Sequence, residues 1–162
     1  NNQPSFSDDG AGNYLFNMPP VSSGRLRRDA SVPFAIPDTA YVKINDLNDP
    51  RFDTCSEITQ PASSELIVPR DGYYWINALC GANLGVLGET ISLAVFANGG
   101  GPVLQAQDTR VMPLGGHIVP SCQMTSLFRL VAGTTLDLRV TATAPGFNLT
   151  SASLSLTFVD VV

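Results

Sequence analysis

Apolar and polar residues alternate with a period of two through the later part of the chain. In TLDLRVTAT, Leu136, Leu138 and Val140 fall on one face and Asp137, Arg139 and Thr141 on the other. In SASLSLTFVDV, Leu154, Leu156 and Phe158 oppose Ser153, Ser155 and Thr157. Such alternation marks a strand with one face buried and the other wet. Carried along the chain, it predicts strands near 31–36, 41–45, 51–58, 65–69, 72–83, 90–98, 103–112, 121–131, 135–143 and 151–161. The breaks ANGGGP (97–102), LGGH (114–117), AGTT (132–135) and APGFN (144–148) carry the residues that turns need. No apolar stripe at helical spacing persists for three turns. The pattern therefore predicts an all-β chain folded as a two-sheet antiparallel sandwich.

One predicted strand breaks the rule of a wet face. In VPRDGYYWINALCGANL (68–84), one face carries Tyr73, Trp75, Asn77 and Leu79, and the other Tyr74, Ile76, Ala78 and Cys80. Both are largely apolar, so the pattern demands a cover for the second face.

Residues 1–30 follow neither period. NNQPSFSDDGAGN is polar, and MPPVSSGRLRRD adds two prolines and three arginines. The expected organisation is an extended amino-terminal arm over 1–30 and a sandwich domain over 31–162. Within the arm, YLFNM (14–18) is either an anchor for a partner or a patch lying on its own domain. The run RLRR (25–28) is either a contact for acidic groups on a partner protein or a solvated linker.

Composition narrows the partners. The 162 residues are 44% hydrophobic and only 14% charged, which leaves some surface short of the charges that keep surfaces apart. The net charge is −5 and Lys43 is the single lysine, which argues against nucleic acid and anionic membranes, since both need a basic stripe. No apolar run reaches the length of a membrane-spanning helix. Cys55, Cys80 and Cys122 cannot all pair within one chain. Cys80 and Cys122 sit in apolar strands, where free thiols behave as small hydrophobes, and one disulfide with a leftover thiol is the alternative.

Candidate chemistry is sparse. His117 is the only histidine, and the cysteines lack zinc-ligand spacing. Asp46, Asp49 and Asp53 in NDLNDPRFD could serve calcium, but the spacing is also ordinary turn chemistry and lacks the closing glutamate of a calcium loop. GGGP has no strand-to-helix setting for a phosphate loop. Asn148-Leu149-Thr150 matches a glycosylation acceptor, relevant only in a eukaryotic secretory host. The expectation is a protein that is not an enzyme and uses no cofactor or metal.

The order of landmarks adds a resemblance. YVKIN (41–45), RFD (51–53), VPRDGYYWINA (68–78), ISLAVFANG (91–99), SLFRLVAGTTLDLRV (126–140) and a closing SLSLTFVDVV follow one another over about residues 31 to 162. This resembles the tumour-necrosis-factor-like jelly roll, shared by the globular heads of complement recognition proteins and found on phage virions. The resemblance implies a homotrimer packed around a threefold axis through one sheet of each protomer. That packing would cover the second apolar face, with Tyr73, Tyr74, Trp75 and Phe96 on the trimer side. No collagen repeat or heptad stalk stands ahead of the head, and a cap clipped onto a lattice needs only a tether. The expected function is a capsid decoration, or cement, protein on the exterior of a phage virion, bridging and stabilising major capsid protein subunits. Tyr14, Leu15, Phe16, Arg25, Arg27 and Arg28 are the expected capsid contacts. The alternative is a receptor-binding head that recognises a host protein or glycan through loops 99–102, 113–118 and 144–148.

Overall fold

The computed structural model describes residues 5–8, 10–11, 14–17, 21–29, 32, 34–38, 40–83, 88–100, 102–111 and 121–160. Its strands, β1 to β14 in chain order, form a hairpin and two six-stranded antiparallel sheets, with no helix among the described residues. The hairpin is β1 (Ser5–Asp8) with β2 (Tyr14–Asn17). The first sheet orders β12 (Ser121–Leu130), β9 (Gly72–Asn83), β14 (Asn148–Asp160), β3 (Ser23–Arg27) and β6 (Asp49–Asp53), with β4 (Phe34–Ala35) also on β14. The second orders β11 (Pro102–Val111), β10 (Thr90–Ala97), β13 (Thr135–Ala142), β8 (Glu65–Ile67) and β7 (Thr59–Gln60), with β5 (Val42–Lys43) also on β13. From β11 to β14 the chain crosses between the sheets at every connection, as in a jelly roll.

The apolar faces read from the sequence are the buried ones, although Asp137 and Ser153, read on the wet faces, are buried as well. Leu136, Leu138 and Val140 of β13 and Leu154 and Leu156 of β14 are fully buried in one core between the sheets. From β9, Tyr74, Ile76, Ala78 and Cys80 enter the same core. The turn after β10 places Asn98 and Gly99 at positive φ, the pairing that closes a tight hairpin. Gly24 is forced by contact: a Cβ there would stand 2.6 Å from the Ile58 Cγ2.

The expected boundary at residue 30 is corrected by β3. Ser23–Arg27 runs antiparallel between β14 and β6, with Leu26 fully buried, so the end of the supposed arm is a strand of the sandwich. Its partners lie far along the chain, and a five-residue strand with one buried leucine is too short to register as a period.

Candidate functional site

The outward face of the first sheet is where this molecule departs from an ordinary sandwich. On β9 the side chains between the core residues point out, and Tyr73, Trp75 and Leu79 remain 40%, 43% and 37% exposed. Strand register sets their neighbours. Trp75 pairs with Leu127 on β12 and Thr157 on β14, and Tyr73 pairs with Arg129. Leu127 and Val159 are 46% and 47% exposed, so five large apolar side chains of three adjacent strands share one face. Single exposed apolar residues are ordinary, whereas a contiguous group is characteristic of an interface.

Away from Trp75 the face turns polar and basic. Asn77 accepts from the Thr125 hydroxyl at 2.7 Å, and Arg25 donates to Ser153 Oγ at 3.3 Å. Two shallow depressions adjoin there. One, of about 420 Å³, is lined by Arg25, Arg27, Leu79 and Ser151, and its neighbour, of about 280 Å³, by Arg25, Asn77, Gln123 and Ser155. Arg27 meets Asp29 at 3.7 Å, an exposed pair that contributes little stability, and the half-buried Asp49 at 3.8 Å. Among the described residues, Arg25 and Arg129 meet no carboxylate. Among the described residues, this face therefore carries two arginines without a carboxylate partner beside an apolar patch.

The structure divides the residues expected at the trimer side. Tyr73 and Trp75 stand on the open face. Tyr74 does not, and that expectation is corrected: consecutive strand residues point to opposite faces, and Tyr74 is fully buried. Its ring meets Phe158 edge-on at 5.3 Å, and its hydroxyl donates to the Arg70 carbonyl at 2.7 Å. Burial raises its pKa, a rise only partly offset by the contacts with Arg70. Phe96 is corrected as well. Ile91, Leu93 and Val95 of β10 take the core, so Phe96 points outward from the second sheet, on the opposite side of the molecule from Trp75. Tyr41 lies 5.5 Å from its ring, and the Arg139 guanidinium 4.1 Å above it. Asp137 fixes that guanidinium at 2.6 and 3.0 Å and raises its pKa, leaving Phe96 covered within its own chain.

The expected capsid contacts divide too. Tyr14, Leu15 and Phe16 lie on β2, opposite Asp8, Ser7 and Phe6 of β1. Arg25 and Arg27 are on the outward face of β3, opposite in phase to the buried Leu26. Arg28 is corrected: its side chain is 2% exposed, paired with Asp46 at 2.8 Å and bonded to the Val32 carbonyl. It serves the fold rather than a partner.

The carboxylates considered for calcium have other occupations. Asp46 holds Arg28, and Asp49 lies 2.6 Å from Arg51. Asp53 accepts from the backbone N–H groups of Glu57, Ile58 and Thr59, pinning the turn after β6. Burial opposes its ionisation, but those bonds and the Thr59 hydroxyl outweigh it and hold its pKa below the usual carboxylate value. Among the described residues, no cluster of three or more histidine, cysteine or acidic side chains could hold a metal ion. His117 and loop 113–118 lie outside the described residues. Of the other two recognition loops, Gly99 and Gly146 occupy left-handed turns, at φ +67° and +104°. Sequence reasoning misses the basic character of this sandwich face, because it assigns the arginines of β3 to an arm. The shared parity of Arg129 and Leu127 is the signal that could have found it.

No family model matches the chain, and no curated protein matches it in sequence. Solved structures do match in fold. The Eiger TNF from S. frugiperda superposes with a TM-score of 0.64 at 16% identity, covering 88% of this chain and 95% of that one. The globular domain of the zebrafish complement 1qA protein gives 0.60 at 12%, covering 87% and 99%. Murine APRIL gives 0.57 at 14%, covering 85% and 99%. The fold is thus the tumour-necrosis-factor-like jelly-roll sandwich that the landmark motifs resemble.

Proposed function

We propose that this chain is a non-enzymatic binding module that works as a homotrimer, closed through the outward face of the first sheet. The observation that carries the reading is the set Tyr73, Trp75, Leu127 and Val159 on one face, with Leu79 beyond Asn77, left open by one protomer. The resemblance to heads that pack through one sheet of each protomer supplies the threefold arrangement.

The finer reading is a decoration protein on the exterior of a virion, attached to its major capsid protein by the amino-terminal hairpin. In support, β1 and β2 pair with each other and belong to neither sheet of the sandwich. Three linked hairpins would engage a repeating lattice at high effective concentration, so weak individual contacts suffice.

Sedimentation of the purified chain tests the first part, with a species three times the 17.2 kDa chain mass expected at micromolar concentration. Mixing the trimer with undecorated capsid shells, with and without residues 1–20, tests the second. Shell binding that needs those residues supports decoration. Binding to host cells that is indifferent to them supports the receptor-binding alternative.

A further inference from the structure

Cys80 and Cys122 stand directly opposite each other on β9 and β12. Both are fully buried, both face the core, and each is a free thiol. Opposed residues of antiparallel strands have Cα atoms about 4.5 or 5.5 Å apart, depending on the ladder position, and a disulfide accepts about 4.4–6.8 Å. The facing Cys80 thiol and burial together push the ionisation of Cys122 upward. Cys122 also lies 3.5 Å from the Ile91 carbonyl, so its sulfur is held between the two sheets. Cys55 lies elsewhere, near Ser22 and Thr54.

We propose that Cys80 and Cys122 form a dithiol site that closes to a cross-strand disulfide by exchange with a small-molecule disulfide. One thiolate attacks the small molecule, forming a mixed disulfide and expelling one thiol. The second thiolate then attacks the protein sulfur of that intermediate and expels the other. Two S–H bonds are lost and one S–S bond forms between the strands. The two electrons and two protons pass to the small molecule, which leaves as two thiols.

Access is set by strand order. β12 is the terminal strand of its sheet, so parting it from β9 exposes the pair without opening β9 from β14. Asp108, accepting from the Gln123 N–H at 2.9 Å, resists that parting from the β11 side. The reduced pair is therefore slow to react, and the closed pair would fasten the two strands that carry Trp75 and Leu127.

The test uses the full chain with Cys55→Ser, and with Cys55→Ala should the first substitution disturb folding. Incubation with oxidised glutathione, natively and after cycling through sub-denaturing urea, is followed by non-reducing peptide mapping and melting at fixed protein concentration. The expected product loses two hydrogens, links the peptides containing residues 80 and 122, and melts about 8–16 °C above its reduced form. Two thiols still free after the urea cycle, a linkage that lowers the melting temperature, or glutathione adducts that never resolve would each overturn the proposal. Cys122→Ala should abolish the linkage and the shift. The outcome is independent of trimer formation, which sedimentation of the same samples reports separately.

Discussion

Replacing Trp75 with glutamate puts the proposed interface to its most direct test. The side chain is 43% exposed on a strand whose opposite face is already in the core. An aromatic side chain of this size offers up to about 250 Å², so roughly 110 Å² of Trp75 is open to water in one protomer. At about 25 cal/mol per Å², covering it stabilises the contact by about 2.7 kcal/mol. Three such losses remove about 8 kcal/mol per trimer, close to a millionfold in the association constant. Because that constant scales with the square of concentration, the midpoint of dissociation moves about a thousandfold.

The protomer should feel much less. Its cross-strand pairing with Leu127 contributes about 0.2–1 kcal/mol, and substitutions on an open sheet face rarely cost more. Sedimentation equilibrium over nanomolar to micromolar concentration, with circular dichroism on the same samples, separates the two effects. The expected result is a folded monomer where the unaltered chain is a trimer. A glutamate variant that assembles at unchanged concentration would refute the reasoning, as would an unaltered chain that stays monomeric throughout.

Other substitutions probe the corrected residues. Asp46→Ala should destabilise the chain by about 3–5 kcal/mol, because it strands the buried Arg28 guanidinium; denaturant unfolding measures this. Gly24→Ala should cost about 1–3 kcal/mol in the same assay, since the new methyl overlaps Ile58. Asp53→Asn should melt below the unaltered chain at neutral pH. Because the folded pKa of Asp53 is depressed, its contribution is complete above the unfolded value of about 3.9 and lost as pH falls through the folded value. The gap in melting temperature should therefore close in acid, and a gap that persists there would show that the amide fails for a reason other than charge.

The fold was legible because its information is local. The strands at 135–143 and 151–161 announce themselves by alternation, and the turns between strands by glycine, proline and asparagine. What stayed hidden depends on partners far away in the chain. β3 is a strand only because β14 receives it about 130 residues later, and Arg28 is buried only because Asp46 reaches it. Tyr74 and Phe96 belong to a different class. Their directions follow from parity: Tyr74 shares a phase with Ile76, Ala78 and Cys80, and Phe96 shares one with Ser92. Adjacent residues such as Tyr74 and Trp75 cannot serve one face, and reading a cluster of aromatics as a unit obscures that.

The same parity gives the open face its meaning. Nothing in the protomer's own stability calls for an outward tryptophan, since Tyr74, Ile76, Ala78 and Cys80 already fill the core side of β9. Asn77 accepts a bond from Thr125 in the middle of this face, as at an ordinary solvated strand position, yet Trp75 and Leu79 flank it on the same side. Left in water, those side chains and their neighbours on β12 and β14 risk indiscriminate association. The trimer proposed above would cover that patch with a second copy of the same chain.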